Sequence, residues 1–499
     1  MRRWSCASLA LLIWSYACPA SAKTYEVGPG KPYTAIGAVP WESLVGGDTV
    51  LIHWRDTPYK EKWVIGGRGS ATLPIVVRGV LGPSGQRPVI DGNGATTRAQ
   101  LSFWNPDRSV LKIGGSSSPP NNPSYIVVEN LDIGGGRSPA TFTTSQGSSM
   151  PYRDNAASIM IENGDHITIR NCIARDSANG IFSAHDSSQV LIEANHIHGN
   201  GRVGDIYVHN NYTESNGIVF QYNRLGPLCA GCSGNNLKDR SAGTVIRYNF
   251  IESGNRQLDL VESGTFAAAP SYRATYVYGN VLVEPDGAGN SQIVHYGGDN
   301  GDTSTYRKGT LYFHNNTVVS TRAGNTTLLR LSSNDESADV RNNVLYVSAA
   351  GNRLGMLDGN GRLTLAKNWL KSSWVGSHGT LSLAIQQPAP QVSATSPGFV
   401  NEAAQDYRLL ATSSCVNGGG SVLADATHFA VRQYVAHLSS EVRPDDGPVD
   451  IGAFEYASGG AGASCDASSE SAPAAAWMVG GLFGFVLTRR RRPATAPPV

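Results

Sequence analysis

One short phrase recurs along the chain: alternating apolar and polar residues, then an asparagine, then an apolar or aromatic residue. It appears as Ile126-Val-Val-Glu-Asn130, Ile167-Thr-Ile-Arg-Asn171, Val190-Leu-Ile-Glu-Ala-Asn195, Val219-Phe-Gln-Tyr-Asn223 and Val245-Ile-Arg-Tyr-Asn249. It continues as Tyr276-Val-Tyr-Gly-Asn280, Leu311-Tyr-Phe-His-Asn-Asn316 and Val340-Arg-Asn-Asn343, with a weaker copy ending at Asn368. The asparagines are 41, 24, 28, 26, 31, 36, 27 and 25 residues apart. Units of this length hold two or three β-branched strands between Gly, Asn, Asp and Ser turns, without helical periodicity. Such a unit cannot bury its apolar face alone, whereas stacking unit on unit at about 4.8 Å buries a continuous core. Asparagine recurring at one bend suits a left-handed or tight-turn position, and stacked asparagines can hydrogen-bond along the stack. A propeller would need blades of about 40 residues with an aromatic motif in each, and neither occurs. The pattern predicts an all-β, single-stranded, right-handed parallel β-helix of about ten coils.

The ends read as processing signals. Met1-Arg2-Arg3, an apolar run to Ala17 and Pro19-Ala20-Ser21-Ala22 predict a signal peptide over 1–22, hence export. The β-helix is expected over 23–456, opening near Gly47-Asp48-Thr49-Val50-Leu51-Ile52 and closing near Asp406 and 450–456, with a short helix-like stretch over 427–438. A Gly/Ala/Ser linker follows over 457–473, and 474–499 carries an apolar run and then Arg489, Arg490, Arg491 and Arg492. This ending resembles the PEP-CTERM and MYXO-CTERM sorting signals of Gram-negative bacteria. The resemblance implies a surface-associated or secreted protein that meets the membrane only through that segment, and a monomer is expected. The formal net charge of +1 gives no reason to expect nucleic acid as a partner, so an acidic ligand must be met by locally placed cations. Beyond the signal peptide lie Cys172, Cys229, Cys232, Cys415 and Cys465, and Cys229-Ala-Gly-Cys232 predicts a small loop disulfide.

Chemistry on such a scaffold depends on which ionisable residues consecutive coils bring to one outward face. The densest place is Asn235-Asn236-Leu237-Lys238-Asp239-Arg240, followed one coil later by Arg256-Gln257-Leu258-Asp259-Leu260-Val261-Glu262. Alternation points Leu237, Leu258 and Leu260 inward, with Asn236, Lys238, Arg240 and Asp259 outward. Counting back from the asparagine bends aligns Tyr212 with Lys238 and Glu214 with Arg240. His209 lies beside them, and later coils supply His295 and Arg330. A stripe of Tyr, Lys, Arg, Asp and His along one groove is the expectation.

The segment Asn236-Leu-Lys238-Asp-Arg240-Ser241 resembles the lysine-bearing segment of β-helical polysaccharide lyases, the chondroitinase B and alginate lyase family, with pectate lyases beside them. The resemblance covers about 23–456 and implies β-elimination of an acidic, uronic-acid-containing polysaccharide. Lys238 would be the base, Arg240 the carboxylate partner, and Tyr212 or His209 the acid at O4. Asp259 would orient Lys238 or Arg256. Asn235, Asn236, Arg256, Gln257, His209, His295 and Arg330 are expected to bind substrate. Where the family carries acidic metal ligands before the lysine, this chain has Gly234, Asn235 and Asn236. Ca²⁺ is the expected cofactor if any, with Glu214, Asp259 and Glu262 as candidate ligands. Crowding by Arg240 and Arg247 is expected to push the Lys238 pKa down, whereas tight pairing with Asp259 would raise it.

Two other functions fit the same scaffold. A polygalacturonase-like glycoside hydrolase needs clustered carboxylates, and a non-catalytic glycan-binding adhesin needs none. His196 and His198 read as bend residues, Asp286, Asp299 and Asp302 as possible loop ligands for Ca²⁺, and Trp41, Trp54, Trp63 and Trp104 mainly as core.

Overall fold

The computed structural model describes residues 22–457 apart from 424, 425 and 446. The expected signal peptide up to Ser21, nearly all of the linker, Cys465 and the Arg-rich tail lie outside the described residues.

The described chain is the expected right-handed parallel β-helix, built from three stacks of parallel strands. The first stack runs from Thr24–Val27 and Thr49–His53 to Arg362–Ala366. The second runs from Glu61–Ile65 through Asn211–Thr213, Leu237–Asp239, Leu258–Leu260 and Gln292–Tyr296 to Thr326–Leu331 and Leu354–Leu357. The third runs from Val89–Asp91 to Val392–Ala394. Long strands such as Ala157–Arg170 and Asn179–Glu193 pass through both the first and second stacks. Alternation explains the core. Val128, Ile169, Ile192, Phe220, Ile246, Val277, Phe313, Val340 and Leu365 follow one another in register, and every one is fully buried.

The asparagines do not take the left-handed conformation themselves in most coils. That position falls to the residue before: Ala194, Tyr222, Tyr248, Gly279, Asn315, Asn342 and Lys367 have φ between 52° and 66°. The turn tips each following asparagine into the interior, where Asn195, Asn223, Asn249, Asn280, Asn316, Asn343 and Asn368 are fully buried. Each Nδ2 donates to the Oδ1 of the next coil at 2.9–3.1 Å, ending on Gln391. Each Oδ1 also accepts the backbone N–H of the preceding asparagine. The polar ladder thus satisfies groups that a turn would otherwise bury unpaired. Asn130 and Asn171 are one position out of phase: they occupy the left-handed site, and Cys172 fills the buried place at the ladder's start.

Three other local expectations change. Residues 427–438 form no helix: Arg432–Val435 pairs antiparallel with Ser439–Val442. His196 and His198 lie in a strand just past the bend, with stacked rings 4.0 Å apart. Trp41 and Trp63 stack in the core, whereas Trp104 is about half exposed. Cys229 and Cys232 are disulfide-bonded, and Cys172 and Cys415 are free and buried. Among the described residues no helix is long and apolar enough to cross a membrane.

Candidate active site

The outward face of the second stack carries the polar stripe. Parallel register places Phe182, Tyr212, Lys238, Asp259, His295 and Arg330 in one line, a rung apart at each step. Leu237, Leu258 and Leu260 alternate with them into the core. Lys238 Nζ lies 2.7 Å from Asp259 Oδ2 and 3.0 Å from Asp299 Oδ2. Asp259 Oδ2 also accepts from Asn235 Nδ2 at 2.7 Å, and its Oδ1 meets His295 Nδ1 at 2.8 Å and Arg256 Nη1 at 3.9 Å. His295 Nε2 in turn meets Ser332 Oγ at 2.9 Å. Arg240 follows Asp239 out of the strand. Its Nε donates to the Tyr212 phenol oxygen at 3.0 Å, and its Nη1 is bonded to Glu262. Its Nη2 lies 3.7 Å from Asp299 Oδ1.

Asp299 therefore bridges the two cations. It comes from the loop after Gly297 and Gly298, and its N–H donates to Glu262 Oε2 at 2.7 Å. No register reaches a loop, so strand counting could not bring it to the stripe. Its side chain is 42% exposed, against 1% for Asp259.

The electrostatics follow from these contacts. Burial alone would lower the Lys238 pKa, but Asp259 and Asp299 outweigh it and hold the amine above its ordinary value. The expected depression does not occur. Arg247 faces the first stack, bonded to Gln221 and Tyr278, and Arg240 alone does not match two carboxylates. Burial would raise the Asp259 carboxyl, yet His295 and Lys238 carry it well below the usual range. Asp299 is lowered against its partial burial, chiefly by Lys238. Burial pushes the His209 imidazole down to about 3. Its Nδ1 accepts the Asn235 N–H at 2.9 Å, which puts the neutral ring's proton on Nε2.

Several expected contacts are relocated. Asn236 and Gln257 do not face outward. The strand alternation starts only at Leu237 and Leu258, and both side chains turn into the bend, fully buried. Asn236 Nδ2 donates to backbone carbonyls including Glu252 at 2.7 Å, and Gln257 is bonded to Glu284. His209 is a buried bracket for Asn235. Asn235 and Arg256 do border the stripe, and Asn235 Oδ1 and Arg256 Nε have no partner within the protein. Arg330 is exposed at the end of the line. Glu214 accepts from Ser263 Oγ at 2.6 Å, away from Lys238. Asp239 is inward and fully buried, paired with the equally buried Arg307 at 3.3 Å, a partner that nothing in the repeat signalled.

Among the described residues, Asp259, His295 and Asp299 form the one group whose ligand atoms lie within 4.8 Å of one another. Glu214 and Glu262 are not part of it. The group does not fit Ca²⁺ as arranged. Calcium takes about 6–8 oxygens at roughly 2.3–2.6 Å, whereas here the Lys238 ammonium lies within 3.0 Å of both carboxylates.

No family model matches the chain, and no curated protein matches it. Solved structures do align with it. An alginate lyase from Paenibacillus sp. str. FPU-7 is 13% identical, covering 68% of this chain and 99% of its own, at a TM-score of 0.44. The pectate lyase Pel9A is 13% identical over 87% of this chain and 96% of its own, at 0.48. A rhamnogalacturonan lyase is 12% identical over 81% and 97%, at 0.40. At such identities no residue role passes from them to this chain.

Proposed function

We propose that the stripe is the active site of an exported, monomeric polysaccharide lyase that cleaves an acidic, uronic-acid-containing glycan by β-elimination. The observation that carries this reading is the convergence of Lys238, Arg240 and Tyr212 on one face, with both cations locked in place by carboxylates. Elimination breaks the C5–H bond, forms C4=C5 and expels O4 with the bonding pair. It needs positive charge beside the uronate carboxylate, an acceptor for the C5 proton and a donor for O4. A substrate carboxylate would share Lys238 and Arg240 with Asp299, the exposed member of the cluster. The raised Lys238 pKa changes its role from the expected base to a retained ammonium, suited to screening the enolate-like carboxylate. Tyr212, whose oxygen accepts from Arg240 Nε, would act as the phenolate, taking the C5 proton and passing it to the departing O4. Asp259 positions Lys238, and Asn235 and Arg256 in turn hold Asp259.

Asp259 and Asp299 also meet as a carboxylate pair that alternation did not foresee, which brings the hydrolase reading back. A hydrolase acid must hold its proton near neutral pH, with pKa raised. Both carboxyls here are lowered instead. Digestion in water enriched in heavy oxygen separates the two. Elimination yields unsaturated ends without label, and labelled reducing ends would overturn the lyase reading.

A further inference from the structure

Beside Tyr212, away from Lys238, lies an open cleft of about 660 Å³ lined by Arg153, Asp154, Asn155, Asp205, Tyr207 and Tyr212, with Val208 at its wall. Its most conspicuous feature is Tyr207, 77% exposed on the loop after Gly201. Val203 and Ile206 of the same loop are exposed beside it, at 76% and 54%; several apolar side chains left in water together mark a contact surface, and this one is rigidly presented. Arg202 ties the loop to Asp154 at 3.0 Å and to Asp205 at 3.2 Å. Asp205 Oδ1 accepts the Tyr207 N–H at 2.9 Å, and Val203 pairs with Cys232 of the disulfide.

Resting on the lyase reading, we infer that this cleft is a sugar subsite for a neutral pyranose adjacent to the uronate held at Lys238 and Arg240. The substrate is therefore a mixed polymer of uronic acid and neutral sugar, not a homopolymer of uronic acid. Tyr207 offers a flat apolar face to the C–H side of the ring. Asp154, with a side chain 72% exposed, and Asn155 accept from hydroxyls. The charges argue against a second carboxylate. Arg202 is engaged by both aspartates, Arg153 Nε is held by Asp107 at 2.7 Å, and the open carboxylate of Asp154 repels an anion. Tyr212 lines both sites and is one rung, about 4.8 Å, from Lys238. Neighbouring sugars of a single chain would fill the two together.

The test uses the whole protein and follows unsaturated uronate by ultraviolet absorbance. The substrates are polygalacturonate and alginate as homouronans, and a rhamnogalacturonan backbone and gellan as mixed polymers. A mixed polymer is expected to give the higher kcat/KM, and Tyr207→Ala to raise its KM roughly tenfold, the loss of one stacked ring. Equal or better turnover of homouronans, together with an unchanged KM in Tyr207→Ala, would overturn the subsite. If no polymer yields unsaturated product, the lyase reading fails on its own and the cleft is judged by binding. Retardation of the protein in gels containing the mixed polymers, lost in Tyr207→Ala, upholds it, and absence of retardation overturns it.

Discussion

Lys238 shows how the position of a side chain can be legible in sequence while its ionisation is not. Its outward direction and its alignment with Tyr212, Asp259, His295 and Arg330 follow from a two-residue alternation repeated at a fixed register, which the leucines on either side make legible. Its ionisation depends on Asp259, one rung away in register, and on Asp299, which arrives through a loop. Asn236 and Gln257 were misplaced for the related reason that alternation does not extend backward through a turn. The roles proposed for Tyr212 and Lys238 separate experimentally. Tyr212→Phe keeps the ring against Phe182 and Arg240 but removes the hydroxyl, so kcat is expected to fall by about 10²–10⁴ with little change in the thermal midpoint. Steady-state kinetics alongside calorimetry checks both halves of that statement.

At the scale of the element, the asparagine ladder and the third stack govern stability. The recurrence of asparagine announced the coil, but not the division of labour by which a preceding Tyr or Ala takes the left-handed turn and the asparagine is buried. Asn249→Ala strips the partner from the Asn223 N–H and from both neighbouring amides. It is expected to cost about 2–4 kcal/mol in urea unfolding, since each buried group left unpaired costs about 1–3 kcal/mol. A loss below about 0.5 kcal/mol would mean that the ladder is incidental. Glu284, at the end of a third-stack strand, sets a pH dependence. Burial raises its carboxyl to about 7 in spite of Gln257 and Arg322. A folded pKa above the unfolded value means that its contribution is fully present below about pH 4.5 and is lost as pH rises through about 7. The stability of the protein relative to Glu284→Gln should therefore decline across that window, measured by denaturant titration at successive pH values. A constant difference would contradict it.

For the whole molecule, the architecture is legible in the sequence because every coil repeats the same demand: inward leucine, isoleucine or valine, a bend, a buried asparagine. Features that occur once escaped it, among them the Arg307–Asp239 pair, the Asp299 loop and the hairpin over 432–442. The scaffold also bears on cofactors. With the Lys238 ammonium held between Asp259 and Asp299, activity is expected to persist in the presence of a calcium chelator. Loss of activity that added Ca²⁺ restores would show that the lysine yields its place to metal. The most direct measurement is the ultraviolet absorbance of unsaturated uronate during incubation with uronic-acid-containing polymers, mixed as well as homopolymeric, for the protein and for Lys238→Met, with the fold of the variant confirmed by circular dichroism. Absorbance should rise for the protein and stay flat for the variant. No rise with any such polymer, or an equal rise from both, would contradict the account.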